Sequence, residues 1–329
     1  MKKEIIKALL KLVFALLIIY WLFSKGTIDF NLVRTSLNHP ERWAFVLVMG
    51  ALQAIAASYR WKTMLEIKSK EKISLRKTTA ITWIGMFFSS VLPGAVTGDL
   101  IKVIYAKNLS PNFTKTFLLT STFLDRIIGL IGLLILLGVF SVFHYSNLSS
   151  LSPDLTRLIH FNFLLFLGVI TFLTMLFLPK KIQQIILSLV DKFPLIGHRI
   201  VKTFEEVWLL GQNRGVIIRA IIISVLLHTS NITNFWILTS PFFDHPLALS
   251  QMFTFAPIGL MAVAVPITPS GLGIGHAIFN SLFSFFGITR GASLFNIYLV
   301  ASLIINLSGA IPYLLSSKKP AVSELEEAS

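Results

Sequence analysis

A chain of 329 residues that is 54% hydrophobic and only 13% charged carries about half the charge of a soluble domain, which excludes a water-soluble globular protein. Its mean hydropathy of +0.77 is that of a polytopic membrane protein. The formal net charge of +14 resides mainly in short loops between apolar runs, where it reports topology and anionic-lipid contact and not nucleic-acid binding. With no cysteine, disulfides, thiolate nucleophiles and cysteine metal sites are excluded.

In chain order, uninterrupted spans are expected at Ala8–Phe23, Trp43–Tyr59, Thr116–Phe143, Leu158–Leu178, Val216–Thr239 and Leu294–Leu315. The first resembles a signal sequence, but no small-residue cleavage site closes it, so it reads as a span. Basic clusters precede the first span (Lys2, Lys3, Lys7, Lys11) and follow the second (Arg60, Lys62, Lys68, Lys70, Lys72, Arg76, Lys77). Others follow the fourth span (Lys180, Lys181, Lys192, Arg199, Lys202, Arg214) and the last (Lys318, Lys319). All four are expected on the cytoplasmic side, which places both termini there in a cytoplasmic (inner) membrane. The segments 144–157 and 240–246 hold only Arg157 and are expected outside.

Two further apolar segments are broken in their middles. One runs from Phe87 to Lys107 and is interrupted by Pro93, Gly94 and Gly98. The other runs from Ala256 to Phe286 and carries Pro266, Pro269, Gly271, Gly273 and Gly275. Broken segments at matching places in two halves of a membrane chain point to a transported substrate. Charge parity makes the first a re-entrant hairpin from the cytoplasmic face and the second one from outside, although two short complete spans would satisfy the same parity. The expected fold is therefore an all-α polytopic membrane protein, with six full spans and two re-entrant (or short-span) helical hairpins arranged as an inverted repeat. It forms a single integral membrane domain, with half-repeats at about 1–145 and 156–317 and a short polar tail at 318–329. Residues 179–214 read as amphipathic helices, either at the cytoplasmic interface or packed beneath the bundle.

Charges inside such segments are costly and need partners. Asp99 and Lys102, three apart after the first break, lie on one helical face. They read either as a cation held for an anionic headgroup or as a structural ion pair. Asp125 and Arg126 sit well inside the third span and point about 100° apart. Asp125 is expected to meet Lys102 or Arg60, and Arg126 to offer its planar fork to an anion or to join a buried ion pair. Arg60, in Ser58-Tyr59-Arg60-Trp61-Lys62, is a headgroup contact or a snorkelling cation. His276, behind Gly271, Gly273 and Gly275, is a hydrogen-bond donor, a proton-coupling group or a packing histidine. His228, Asn231, Asn234, Gln53 and Asn306 read as interhelical hydrogen-bonding groups.

HExxH, Walker A and GxSxG motifs are absent. Catalytic residues, metal ligands and cofactors are accordingly not expected, and direct drive by ATP is not expected either.

Taken together, Tyr59-Arg60-Trp61, Leu92-Pro93-Gly94 with Gly98-Asp99, Leu124-Asp125-Arg126 with Gly129, and Pro266-Ile267-Thr268-Pro269-Ser270-Gly271-Leu272-Gly273 resemble the membrane domain of lysylphosphatidylglycerol synthases. This flippase-like domain also occurs alone in bacteria and archaea. The resemblance implies a lipid-translocating bundle with paired re-entrant hairpins. It departs from the family at Lys102, where arginine is usual, and at Gly275-His276, where Arg-Glu is usual. The chain ends at Ser329 without the soluble aminoacyl-transferase domain, so it is not expected to make aminoacyl-lipid itself. The expected partner is a membrane lipid with an anionic headgroup: a phospholipid, aminoacyl-phospholipid or polyprenyl-linked lipid. Arg60, Lys102, Arg126 and His276 are the binding candidates, with Asp99 and Asp125 as supporting charges. A lipid-synthesis enzyme and a second copy of the chain stay open as partners. The alternatives are a non-transporting scaffold for a lipid-modifying enzyme and a lipid-processing enzyme.

Overall fold

The structure is a computed structural model that describes residues 30–91, 97–146, 153–193, 196–264 and 273–316. The expected span Ala8–Phe23 and the breaks at Pro93, Gly94, Pro266, Pro269 and Gly271 lie outside the described residues; Gly98 and Gly273 lie within them. Among the described residues every regular element is helical. In chain order these are α1 (Phe30–Ser36), α2 (Pro40–Ser69), α3 (Leu75–Val91), α4 (Thr97–Ala106), α5 (Lys115–Phe143), α6 (Pro153–Leu176), α7 (Lys180–Val190), α8 (Gly197–Gln212), α9 (Arg214–Thr239), α10 (Leu249–Ala264), α11 (Ile274–Ser284), α12 (Gly291–Leu307) and α13 (Ala310–Leu315).

Five of the expected spans are present among the described residues as helical stretches long and apolar enough to cross a membrane: Pro40–Ser69, Lys115–Phe143, Ile159–Leu176, Arg214–Phe242 and Gly291–Leu315. Two differ instructively from expectation. The helix expected to end at Tyr59 continues to Ser69, because Trp61, Met64 and Leu65 repeat the helical period and are fully buried. On the polar side of that extension, Lys62 pairs with Glu66 at 2.7 Å. The last span is interrupted at Ser308-Gly309. Pro312 has no N–H to return to the Ser308 carbonyl. The Gly309 N–H donates to the Asn306 carbonyl at 3.1 Å, and the Ile305 carbonyl is met by the Ser308 hydroxyl at 2.6 Å and the Trp83 indole N–H at 2.9 Å.

The chain forms two compact units. One comprises Met1–Ala54, Ala80–Lys102 and Ser230–Ser329; the other comprises Ile55–Thr79 and Val103–Thr229. The first takes in the first broken segment as far as Lys102 and the whole of the second. Gly50 and Gly309 allow close approach there: a Cβ on Gly50 would lie 2.0 Å from Ile305 Cδ1, and one on Gly309 would lie 2.1 Å from the Trp83 carbonyl. The Asn306 amide donates to Ser90 Oγ at 2.9 Å, and the Phe88 and Tyr313 rings meet edge to face at 5.0 Å. A fully buried aromatic cluster joins α10, α11 and α12, with Phe279 stacked on Phe295 at 4.9 Å and Phe255 against Phe283 at 5.2 Å.

In the second unit, Trp61, Met64 and Leu65 pack in a core that also includes the fully buried Phe117 and Leu118. The Thr114 hydroxyl caps α5 by accepting the Phe117 N–H at 3.1 Å, leaving one orphan donor fewer at the helix start. Lys68 reaches Glu206 of α8, and Thr114 donates to the same carboxylate at 3.2 Å.

Candidate functional site

The two broken segments are built alike. Each consists of a helix of about 16 residues, an interval, and a shorter helix: α3 with 17 residues then α4 with 10, and α10 with 16 then α11 with 11. At 1.5 Å per residue, α4 and α11 are about 15–17 Å long, half of a hydrocarbon core of about 30 Å. Leu75 and Ile84-Gly85 in α3 have the same spacing as Leu249 and Ile258-Gly259 in α10. In the short helices, Gly98 precedes Lys102 by four residues as Gly275 precedes Phe279.

The packing follows that register. The Lys102 stem lies against Gly85, where a Cβ would sit 2.5 Å from Lys102 Cγ and 2.9 Å from Cδ. The Phe279 ring lies against Gly259, where a Cβ would sit 2.4 Å from Cζ. In each pair, a glycine on the long helix makes room for the residue four beyond the glycine of the short one. Gly98 itself is pinched against α3, with its Cβ position 1.9 Å from Ser89 Oγ and 2.3 Å from the Gly85 carbonyl. A Cβ on Gly275 would lie 2.4 Å from the Phe295 ring and 3.0 Å from Val263.

The chemistry of the two pairs differs. Asp99 occupies the first turn of α4, where a negative charge is favoured by the helix dipole. Its Oδ1 lies 3.9 Å from Lys102 Nζ, and Lys102 is buried. In α11 the same position is held by His276, whose ring caps the helix. Gly273 N–H donates to Nδ1 at 3.2 Å, so Nε2 carries the hydrogen in this network and donates to Asn296 Oδ1. Gly273 adopts φ +82, a conformation open to glycine at little cost. His276 is buried and meets the Phe295 ring edge-on at 5.1 Å.

The remaining candidates belong to the second unit. Arg60, about two-thirds of the way along α2, donates from Nε to Asp125 Oδ1 of α5 at 2.8 Å and from Nη1 to Ser224 Oγ of α9. Of the two partners expected for Asp125, the structure selects Arg60. Both residues are buried. Gly129, one turn beyond Asp125, gives the guanidinium room: a Cβ there would lie 3.8 Å from Nη1. Gly132 brings α9 close to α5, with its Cβ position 2.7 Å from Ser224 Cβ. His228, one turn beyond Ser224, has the Gly129 backbone as hydrogen-bonding partner and Arg60 as a charged neighbour. Arg126 is half-buried and points about 100° around α5 from Asp125. The interhelical role expected of Gln53, Asn231 and Asn306 is borne out: Gln53 donates to Ser230 at 2.7 Å, Asn231 to Tyr298 at 3.0 Å, and Asn306 to Ser90.

Sequence reasoning passed over Gly85, Ser224, Phe279 and Asn296. Only the first had a visible signal, the repeated Leu…Ile-Gly spacing. Among the described residues, no cluster of three or more histidines and carboxylates could hold a metal ion.

Among the described residues, an all-helical architecture, five stretches long and apolar enough to span, and charged groups engaged in the interior define a multi-pass helical membrane protein. The chain belongs to the lysylphosphatidylglycerol synthase TM region family, whose model matches residues 8–309. The resemblance read from its motifs is therefore borne out. Comparison with curated proteins and with solved structures finds no match.

Proposed function

We propose that this protein moves a lipid with an anionic headgroup between the leaflets of the cytoplasmic membrane. The observation that carries this reading is α4: a helix about 15 Å long, too short to span, that buries a lysine stem against Gly85 beside Asp99. A cation held at depth costs several kcal/mol, roughly 2.5–3.5 by insertion scales, and is retained in membrane proteins chiefly along substrate and ion paths. The shared register of α3–α4 and α10–α11 supports two re-entrant hairpins related by an inverted repeat, entering from opposite faces. Lys102 then receives the headgroup phosphate, with Asp99 positioning the ammonium. His276 and the N–H groups at the start of α11 form the facing polar wall, and the acyl chains stay in the bilayer. In the second unit, Arg126 contacts anionic headgroups in its own right, and the Arg60–Asp125 pair fixes α2 against the helix that carries it.

Reconstitution into liposomes with fluorescent phosphatidylglycerol or phosphatidylcholine tests the activity. Wild-type protein speeds transbilayer movement of the anionic probe, Lys102→Gln loses most of that movement, and Lys72→Gln retains it. Movement untouched by Lys102→Gln sinks the assignment. The native chain has no cysteine, so Ala95→Cys and Ser270→Cys can be labelled without background. Labelling of both from the same aqueous side excludes hairpins of opposite entry.

A further inference from the structure

In the connection from α6 to α9, α7 and the turn after it expose large apolar side chains. On α7 the polar Gln183 is buried, donating to the Leu178 carbonyl at 2.7 Å, while Ile182, Ile185 and Leu189 are 42%, 59% and 55% exposed. Phe193 and Ile196, which follow, are exposed as well. A water-facing helix has the opposite arrangement, so this surface requires an apolar medium over it.

Beside it, the end of α6 and the turn into α7 form a groove of about 420 Å³ lined by Ile170, Leu173, Thr174, Phe177, Leu178 and Pro179. Ile170 also belongs to the exposed apolar side of α6 that includes Leu164 and Leu167. The groove is held in shape by α8: the Trp208 indole donates to the Met175 carbonyl at 2.9 Å, and Gly211 approaches so closely that a Cβ would lie 2.4 Å from the Leu176 carbonyl. Its rim is cationic. Arg214 lies over the Phe177 ring at 5.7 Å, and the exposed Lys180 and Lys181 follow Pro179 directly. Residues 180–214 hold six Lys or Arg against three acidic residues, and one of those acids, Glu206, is engaged by Lys68.

We propose that this groove is a binding site for a phospholipid with an anionic headgroup. One acyl chain lies along Ile170, Leu173 and Phe177. The phosphate is held by Lys180, Lys181 and Arg214, and the outward face of α7 lies in the same leaflet. Apolar lining with cations only at the mouth matches a lipid anion, whereas a soluble anion has no use for the groove. The site lies wholly within the second unit and does not depend on the translocation reading.

The test uses the full chain in nanodiscs of mixed phosphatidylglycerol and phosphatidylcholine, counting lipids retained after release into detergent by native mass spectrometry. Wild-type protein keeps phosphatidylglycerol in preference to phosphatidylcholine. The variant carrying Lys180→Gln, Lys181→Gln and Arg214→Gln, all at exposed positions, binds phosphatidylglycerol at least about tenfold more weakly. Thr174→Trp, which fills the groove from an exposed position, loses it too. A control pair, Lys72→Gln with Lys77→Gln, leaves retention intact. Equal retention of the two lipids by wild type overturns the proposal. So does loss in the control equal to that in the triple variant, and so does retention unchanged by Thr174→Trp, which would mean binding by charge alone. Displacement by soluble glycerol phosphate at equal concentration also overturns it.

Discussion

The pairs α3–α4 and α10–α11 share a glycine register and differ in what that register holds. In one, the glycine of the long helix receives a lysine stem beside an aspartate. In the other it receives a phenylalanine ring that stacks on Phe295, and the aspartate's place is taken by a histidine engaged in capping. The same backbone device therefore supports two kinds of contact. The aromatic pair gains stability from burial, while the charged pair spends some of it to bury a lysine beside a half-buried aspartate. The difference predicts that packing depends less on Lys102 than on Phe279.

The largest effects should come from breaking that asymmetry. Phe279→Ala removes a fully buried ring and should cost about 3–5 kcal/mol in mixed-micelle unfolding. Asp99→Asn combined with Lys102→Met should cost less than about 1 kcal/mol, because exchanging both members of a buried ion pair for neutral groups is often neutral. Comparable losses in the two proteins would erase the distinction.

The Arg60–Asp125 pair calibrates the cost of a lone interior charge. Asp125→Ala leaves the guanidinium with Ser224 but without its counter-charge, and a loss of about 3–5 kcal/mol is expected. A double-mutant cycle with Arg60→Met should recover much of it. Additive losses would show that the pair is not coupled.

Next come the glycines. Gly98→Ala drives a methyl into the Gly85 carbonyl, which is backbone, whereas Gly275→Ala meets only side-chain atoms, of the Phe295 ring and a valine. Overpacking of about 1–3 kcal/mol is expected at both, with Gly98 the more sensitive. The reverse order, read from the same unfolding curves, would mean that α4 can slide along α3.

The smallest effect belongs to the loop leading into α10. The Asp244 carboxylate accepts the Thr289 backbone N–H at 2.9 Å and the Thr289 hydroxyl at 3.0 Å, and Arg290 lies 3.2 Å away. These contacts, the backbone N–H foremost, hold Asp244 below the usual carboxylate range. A lowered carboxylate stabilises the folded form above its unfolded pKa and loses that contribution as pH falls through the lowered value. Acid titration of thermal stability should therefore be slightly flatter in Asp244→Asn than in wild type. An identical acid slope would show that the clasp does not outlast exposure to solvent.

Much of this molecule was legible in its residues, for definite reasons. Hydrocarbon tolerates only helices with satisfied backbone groups, so apolar runs of about 20 residues located the spans before any packing was known. Motif order pointed to the family, because Tyr59-Arg60-Trp61 and Leu124-Asp125-Arg126 keep their chemistry wherever the helices lie. Helix ends were less legible: α2 outran Tyr59 because Trp61, Met64 and Leu65 found a core, which hydropathy does not register. Partner choice was decided by tertiary structure alone. Arg60 and Asp125 are 65 residues apart, and only close packing of α5 on α9 at Gly132 sets Ser224 beside them. Likewise, composition supplied the lysine and the phenylalanine, but which glycine each would press against depends on how two helices meet across a break. Chain-local energetics decide what must be helical and apolar. Contacts between distant residues decide which charge meets which partner.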